Sequence, residues 1–262
     1  MTTQTVMESP TPSGSGTPAL RLRGITKVFG RDGNQTVALQ DVDLDVARGQ
    51  FVTVVGASGC GKSTLLSVVA GLEKPTSGTF EVDGRVALMF QEATLLPWLT
   101  ARQNVELALR LSGVPRERRG ARAADLLDLV RLDGAADKRP HELSGGMRQR
   151  VALARVLAQD ATVVLMDEPL GALDAMTRDR MHDEIERIWS TLGLTIVFVT
   201  HNMREAVRLG DRVVLMTSRP GRVKLDRPID LARPRKMDSA DVAEHAAELT
   251  DALIEEVSQH VG

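Results

Sequence analysis

Cysteine and aromatic residues are scarce in this sequence, and tyrosine is absent. Cys60 is the only cysteine, which excludes an internal disulfide and favours a reducing compartment. No apolar run approaches the ~18 residues that a membrane-spanning helix requires, so we expect any role at a membrane to depend on a partner protein. The net charge of −2 gives no overall basic signal, which argues against a nucleic acid partner.

The N-terminal segment 1–18 is rich in serine, threonine, proline and glycine. It lacks the basic start and the apolar middle of a signal peptide, and its composition is typical of a disordered leader. The chain of 262 residues fits one domain, with or without an inserted subdomain. We therefore expect the folded part to begin near Ala19.

The hydrophobic pattern predicts an α/β fold. A period-2 alternation over 42–46 indicates a half-buried strand, and the apolar run over 50–55 indicates a strand covered on both faces. Residues 78–90 favour two short strands around an Asp83-Gly84 turn. Further strands are predicted over 20–28, 163–166, 195–199 and 213–216, with helices between the last three.

Helical patterns dominate two other parts of the chain. The stretch 92–160, which Pro115 and Pro140 interrupt, indicates a helical insertion. The last stretch, 239–260, places Val242, Ala246, Leu249 and Leu253 on one face of a helix. The predicted helices span 62–70, 101–111, 116–132, 147–159 and 239–260.

The segment 56–63 reads Gly-Ala-Ser-Gly-Cys-Gly-Lys-Ser, a P-loop pattern between a predicted strand and a predicted helix. Glycines let successive backbone N–H groups surround a phosphate, and the helix N-terminus adds a favourable dipole. Lys62 supplies charge to the outer phosphates, and Ser63 offers a hydroxyl to Mg²⁺. The predicted ATP-binding residues here are Gly56, Ala57, Ser58, Gly59, Cys60, Gly61, Lys62, Ser63 and Thr64.

Two carboxylates, Asp167 and Glu168, follow the apolar strand predicted over 163–166. Taken alone, an Asp-Glu-Pro sequence is an ordinary acidic turn. Together with the P-loop it predicts that Asp167 binds Mg²⁺, because ligands gather at the carboxyl ends of such strands. Glu168 is then placed to orient the attacking water or to accept its proton.

The segment 143–150, Leu-Ser-Gly-Gly-Met-Arg-Gln-Arg, resembles the signature sequence of ATP-binding-cassette (ABC) ATPases. Ser144 can cap a helix while Gly145 and Gly146 expose backbone N–H groups, which makes a second anion site. The resemblance implies a P-loop NTPase core with an antiparallel β subdomain and an inserted α-helical subdomain. It also implies a head-to-tail homodimer, in which Ser144 and Gly146 of one subunit cover the γ-phosphate bound by the other.

Four single residues complete the resemblance. It implies that Gln91 contacts Mg²⁺ and the attacking water, that Asp174 lies in a loop crossing the dimer interface, and that His201 contacts the γ-phosphate. A lone histidine at a strand end is more often structural. Phe29 matches the ring that stacks on adenine, with a core ring as the alternative. The implied catalytic residues are Lys62, Gln91, Glu168 and His201, and the implied metal ligands are Ser63, Gln91 and Asp167.

The same resemblance divides the chain into parts. We expect a disordered leader over 1–18, an ABC ATPase domain over 19–235 and a C-terminal helical tail over 236–262. The helical subdomain is expected at about 92–160. With every motif present and in family order, we expect active hydrolysis of ATP with Mg²⁺.

Two local segments indicate a particular group within the ABC family. Residues 90–100 and 218–222 resemble the importer group for nitrate, sulfonates and taurine, although Pro97-Trp98 could be only a turn packed on the helical insertion. This resemblance implies an importer of a small anion, with two integral-membrane permease subunits and an extracytoplasmic solute-binding protein. It places the chain peripherally at the cytoplasmic face of the inner (plasma) membrane. An exporter or other ABC complex, and a soluble non-transport ABC protein, are the alternatives.

A separate prediction concerns the reactivity of the Cys60 thiol. Its place near a helix N-terminus and near Lys62 favours the thiolate form. If the thiol is accessible, an alkylating reagent should block ATP binding, and ATP with Mg²⁺ should protect it. The alternative is that Cys60 is only a small residue that fits the loop.

Overall fold

The computed structural model describes residues 17–30 and 34–259, without the side chains of Val257 and Gln259. Residues 1–16, most of the predicted leader, lie outside this part of the chain. The described strands are β1 (Leu20–Phe29), β2 (Thr36–Val46), β3 (Phe51–Gly56), β4 (Ser77–Val82), β5 (Val86–Met89), β6 (Val163–Asp167), β7 (Thr195–Val199), β8 (Arg212–Met216) and β9 (Val223–Pro228). The described α-helices are α1 (Lys62–Val69), α2 (Ala101–Leu111), α3 (Arg116–Leu129), α4 (Gly145–Leu157), α5 (Ala175–Leu192), α6 (Met203–Leu209) and α7 (Ala240–Gln259).

A six-stranded sheet with the order β5-β6-β7-β3-β8-β9 forms the centre of the molecule. Its strands are parallel except for β9, which runs antiparallel to β8. Every residue of β3 and β7 is buried, because two separate core clusters cover their opposite faces. The sheet confirms the predicted α/β fold and places the carboxyl ends of β3, β6 and β7 at one edge.

A second sheet has three antiparallel strands in the order β2-β1-β4. Its buried side chains, which include Leu22, Leu39 and Val42, join Leu65 and Leu66 of α1 in one core cluster. The antiparallel β subdomain that the resemblance implied is therefore confirmed, and α1 fills the space between the two sheets.

The two strands predicted over 78–90 exist, but they do not pair with each other as a hairpin. β4 pairs with β1, whereas β5 pairs in parallel with β6. The Asp83-Gly84 turn directs the chain from one sheet to the other, and Thr162 Oγ1 fixes it by donating to the carbonyls of Asp83 and Arg85. Ala87 and Met89 are buried against the apolar β6, which favours this pairing over a hairpin.

Helices α2, α3 and α4 lie between β5 and β6 and pack together in one cluster with α5. Three predicted helix bounds were wrong by two residues or more. α3 ends at Leu129 rather than 132, because the N–H groups of Arg131 and Leu132 bond back to Asp128 and Leu127 and close the helix. α4 begins at Gly145 rather than 147, because the Ser144 side chain caps it at the amide of Met147. α4 ends at Leu157 rather than 159, because the N–H groups of Gln159 and Asp160 bond three residues back and close the helix.

The C-terminal helix α7 confirms its predicted apolar face. Val242, Ala246 and Leu249 are buried and Leu253 is partly buried against the same core cluster. β9 was missed, because its sequence has only two apolar residues ahead of a proline. Within the described ranges, no helix combines the length and the hydropathy that crossing a bilayer would require.

Arg235 fastens the segment after β9 to the end of α6. Its guanidinium is almost fully buried and donates to the carbonyls of Val207, Gly210, Ile229 and Leu231. Burial lowers the pKa of Arg235 to about 10, which leaves the group charged at neutral pH. These hydrogen bonds offset the cost of removing the charge from water.

Candidate functional site

The loop between β3 and α1 curls tightly because glycines occupy its crowded positions. Gly61 has a φ of 97°, and an added Cβ would lie 2.6 Å from the carbonyl oxygen of Ala38. A Cβ on Gly56 would lie 2.8 Å from the carbonyl oxygen of Met216. A side chain at either position would clash with backbone, so the fold requires glycine at both.

The start of α1 leaves room for an anion. Helices α2, α4, α5 and α6 begin at side-chain caps, which are Thr100, Ser144, Asp174 and Asn202. α1 instead begins after Gly61, and no side chain caps it. Its first-turn N–H groups therefore have no side-chain acceptor from the cap position, which fits binding of a phosphate there.

Lys62 places its ammonium group inside the same loop. Its Nζ donates to the carbonyls of Gly56 at 2.8 Å and Ala57 at 3.1 Å, and the side chain is almost fully buried. The positive charge is thus held at the centre of the P-loop, where the sequence predicted it.

Cys60 does not meet the condition for the predicted alkylation. Its side chain is 0% exposed, and Sγ lies 3.7 Å from Nζ of Lys62. An added Cβ on Gly56 would lie 2.7 Å from this sulfur, which shows how closely the loop encloses it. The structure supports the alternative, in which Cys60 is a small residue that fits the loop.

Asp167 ends β6 beside this loop. Burial raises the pKa of its carboxyl group, a hydrogen bond with Ser63 lowers it, the charge of Glu168 raises it and that of Lys62 lowers it. Asp167 and Ser63 thus meet, as the sequence predicted, and offer the oxygen ligands that suit Mg²⁺. No cluster of three His, Cys, Asp or Glu side chains that could hold a metal ion is present in the described ranges.

Glu168 and His201 form a pair at the carboxyl ends of β6 and β7. Oε2 of Glu168 lies 2.9 Å from Nδ1 of His201. The backbone of Glu168 has a φ of 43°, a left-handed conformation that costs energy in a residue with a side chain and is common at functional sites. Its N–H donates to the carbonyl of Val199, which fixes the turn that aims the carboxylate.

Gln91, which follows β5, lies close to this pair. An added Cβ on Gly171 would lie 3.2 Å from Nε2 of Gln91 and 3.9 Å from Oε2 of Glu168, so the two side chains flank the same glycine. The strand ends of β3, β5, β6 and β7 therefore bring together Lys62, Ser63, Gln91, Asp167, Glu168 and His201.

The two glycines of the signature segment lie against Leu173 and Thr177, which flank the start of α5. A Cβ on Gly146 would lie 2.4 Å from Cγ2 of Thr177, and one on Gly145 would lie 3.5 Å from Leu173. The start of α4 thus packs against the start of α5. Asp174 caps α5 at the amide of Thr177, and this hydrogen bond lowers the pKa of its carboxyl group.

Comparison with known proteins agrees with these motifs. The family model described as ABC transporter matches residues 39–171. The chain belongs to the ABC transporter family. It is 45% identical over 250 residues to an aliphatic sulfonates import ATP-binding protein, SsuB 1, of Mesorhizobium japonicum, with 93% of this chain and 92% of that protein covered.

Two further comparisons bear on the ABC assignment. The nitrate import ATP-binding protein NrtD of Synechocystis sp. is 46% identical over 220 residues, covering 81% of this chain and 83% of NrtD. A dimeric post-hydrolysis structure of the ATP-binding cassette MJ0796, bound to ADP and phosphate, matches with a TM-score of 0.71 and 32% identity. That alignment covers 81% of this chain and 99% of the cassette. The chain is thus an ABC ATPase that binds and hydrolyses ATP.

Several hydrogen bonds of α4 were not predicted from the sequence. Nε2 of Gln149 donates to the carbonyl of Gln91 at 2.6 Å, and Arg155 donates to the carbonyls of Ala93 and Thr94. α4 therefore holds the segment that carries Gln91. Nothing local in the sequence signals these bonds, because they join residues about 60 positions apart.

The position of Arg219 beside the P-loop was also not predicted, although its segment 218–222 carried part of the importer resemblance. An added Cβ on Gly59 would lie 3.5 Å from Nη2 of Arg219, so this guanidinium borders the P-loop. Phe29 lies at the end of β1 with 39% of its surface exposed, and Nζ of Lys27 lies 4.7 Å from its ring centroid. The ring is not a core ring; its stacking on adenine stays a prediction.

Proposed function

We propose that two copies of this chain form a homodimer that hydrolyses ATP to power an importer of small anions. The pair formed by Glu168 and His201, beside the loop that holds Lys62, carries the proposal. It combines a proton acceptor, a hydrogen-bonding ring and a buried cation at the edge of the sheet where ligands bind in α/β folds.

The chemistry follows from these positions. Water attacks the γ-phosphorus of ATP, the bond to the bridging oxygen of ADP breaks, and Glu168 accepts the proton that the water loses. Lys62 and the amides of the P-loop bind the phosphates, while His201 contacts the γ-phosphate. Bound Mg²⁺, held by Ser63, Asp167 and Gln91, would neutralise phosphate charge.

The second subunit supplies what one chain lacks. Ser144 and Asp174 act as helix caps within their own chain; at the start of α4, Ser144 is exposed, Gly145 is half-buried and Gly146 is buried. We propose that these amides reach the γ-phosphate bound by the partner copy, with Asp174 in the loop that crosses the interface. The dimeric state of the similar cassette MJ0796 supports this arrangement.

Mixing two inactive variants tests whether each ATP site combines the P-loop of one subunit with the signature segment of the other. Lys62→Ala destroys the P-loop but keeps the signature, whereas Ser144→Arg destroys the signature but keeps the P-loop. Each alone should be nearly inactive. An equal mixture should recover about one quarter of wild-type turnover, because half of the dimers would be mixed and each would hold one intact site. A mixture no more active than its components would overturn the proposal.

The surface around Trp98 is proposed to dock a permease subunit. Trp98 is 66% exposed, so it is not packed on the helical insertion, and Phe90 is 47% exposed. Asn104 of α2 supports this surface: Oδ1 accepts from the amide of Leu96, and Nδ2 donates to backbone carbonyls in the same turn. An exposed tryptophan on a rigid turn is typical of a residue that contributes strongly to binding.

Replacing Trp98 separates docking from hydrolysis. Trp98→Ala should weaken binding to the permease subunits by about 2 kcal/mol, roughly 30-fold in Kd. Turnover by the isolated chain should not change, because Trp98 lies outside the nucleotide site. Leu111→Ala, at an exposed apolar residue at the end of α2, is the matched control. Equal permease binding by the Trp98→Ala and Leu111→Ala variants would contradict the docking role.

Sulfonates, taurine and nitrate are the proposed solute class, and the names of SsuB and NrtD support it. The chain would then work at the cytoplasmic face of the inner (plasma) membrane with two permease subunits, which receive the anion from an extracytoplasmic binding protein. Reconstituted vesicles with all subunits should take up labelled sulfonate, taurine or nitrate when ATP is supplied. Efflux of solute on the same assay would favour the exporter alternative.

A further inference from the structure

A chain of buried hydrogen bonds runs beneath His201 and joins α5, α6 and the end of β7. Its members are Arg208, His182, Glu205 and Thr200, which are between 0% and 5% exposed. None of them belongs to a motif identified from the sequence, and His182 is the most buried histidine of the described residues.

The direction of each hydrogen bond follows from its donor. Nη1 of Arg208 lies 2.8 Å from Nδ1 of His182, and a guanidinium nitrogen can only donate. Nδ1 of His182 therefore accepts, which leaves the proton of the neutral ring on Nε2. Nε2 lies 2.6 Å from Oε1 of Glu205, so the imidazole donates to the carboxylate.

Glu205 extends the chain to both sides of His201. Its second oxygen, Oε2, accepts from the hydroxyl of Thr200. That hydroxyl in turn accepts from the N–H of Asn202 at 3.0 Å, and the N–H of Thr200 donates to Val54 at 3.1 Å. The residues before and after His201 are thus both fixed.

His201 itself has little packing to orient it. Its side chain is 65% exposed, and its ring is held by one hydrogen bond to Glu168. Thr200 and Glu205 line a cavity of about 40 Å³ together with His201 and Glu168. The direction of the His201 ring therefore depends on the backbone that Thr200 and Asn202 hold.

The charges around the chain are balanced by groups on both helices. Asp183 Oδ1 lies 2.5 Å from Nη2 of Arg208. Asp179 Oδ1 lies 3.7 Å from Nη1 of Arg208 and 3.6 Å from Nδ1 of His182. A buried carboxylate such as Glu205 is stable only when groups such as His182 and Thr200 donate hydrogen bonds to it. Losing one of these donors should therefore disturb the other.

We propose that His182 is a positioning residue for ATP hydrolysis, which acts through Glu205 and Thr200 to orient His201 toward the γ-phosphate. The inference rests on the proposed role of His201. Because Asp174 caps the start of α5, which carries His182, the same hydrogen-bond chain connects the loop proposed to cross the dimer interface with the loop that carries His201.

Two substitutions of His182 separate hydrogen bonding from size. Glutamine can offer a donor to Glu205 and an acceptor to Arg208 at a spacing similar to the two imidazole nitrogens. His182→Gln should therefore keep kcat within about twofold, whereas His182→Leu should lower kcat roughly 10- to 100-fold with little change in KM for ATP. His245→Leu, at a half-buried histidine of α7 outside this hydrogen-bond chain, is the matched control.

A double variant shows whether the effect passes through His201. In a His201→Ala background, His182→Leu should lower kcat no further, because the group that it orients is gone. The same factor of loss in both backgrounds would overturn the inference, and so would wild-type kcat in His182→Leu. Wild-type turnover in His201→Ala alone would instead refute the proposed role of His201.

Folding is checked by thermal unfolding of every variant. If His182→Leu does not fold, Thr200→Val takes its place, since valine keeps the shape and removes only the hydroxyl. Thr200→Val should then show the same loss of kcat and the same dependence on His201. A folded Thr200→Val variant with wild-type kcat would overturn the inference.

Discussion

The half-buried carboxyl group of Asp167 lowers the stability of the fold at neutral pH and is suited to binding a divalent cation. Burial of its carboxyl group beside the P-loop raises its pKa. A raised pKa contributes stability that is present at acid pH and is lost as pH rises through that pKa. At neutral pH the ionised carboxylate therefore lowers the stability of the nucleotide-free fold, while its charge is what a divalent cation requires.

Asp167→Asn should therefore stabilise the chain and inactivate it. Asparagine keeps the oxygen that faces Ser63 but carries no charge, so the free energy of unfolding at pH 7 should rise. The gain should disappear at acid pH, where the wild-type carboxyl group is also neutral. Urea unfolding with EDTA measures the first effect, and ATP turnover with Mg²⁺ measures the loss. Lower stability of the variant at pH 7 would contradict this account.

At the scale of elements, the contact between α4 and α5 explains why Gly146 is a glycine. A Cβ there would lie 2.4 Å from Cγ2 of Thr177. Gly146→Ala should push the two helix starts apart and cost about 1–3 kcal/mol, with a loss of turnover.

Thr177→Ser is the matched second change, because it removes only the methyl group that Gly146→Ala would strike. The double variant should regain most of the stability and turnover, as measured by urea unfolding and ATP hydrolysis. A double variant that is stable but still inactive would show that Gly146 meets something beyond its own chain that an alanine blocks.

The sequence predicted local features better than pairings between distant segments. Gly56, Lys62 and Ser144 lie in short motifs whose chemistry depends on neighbouring residues, and the fold places them as expected. The Asp83-Gly84 turn, which leads the chain into β5, is fixed by Thr162, which lies far along the chain from it. The hydrogen bond from Gln149 to Gln91 is equally non-local, so no periodicity or motif could reveal it.

Across the whole molecule, two core clusters lie on opposite faces of the central sheet, and the proposed nucleotide site lies at the edge where its parallel strands end. Gln149 and Arg155 connect this edge to the helices between β5 and β6. These hydrogen bonds give a route by which a change of position at Gln91 would reach α4, whose first residues are proposed to face the partner copy. The proposed closure of a dimer around ATP would then involve the helices as well as the sheet.

The central claim is that the P-loop of one subunit and the signature segment of its partner form one ATP site. The most direct test is the molar mass of the Glu168→Gln variant, measured by light scattering with and without ATP and Mg²⁺. The variant should lose about 10²–10³ in turnover, because glutamine cannot accept the proton of the attacking water. Bound ATP should then persist and hold a dimer, with a monomer in its absence and a monomer when Ser144→Arg is added. A monomer at saturating ATP, or a dimer that ignores both ATP and Ser144→Arg, would contradict the account.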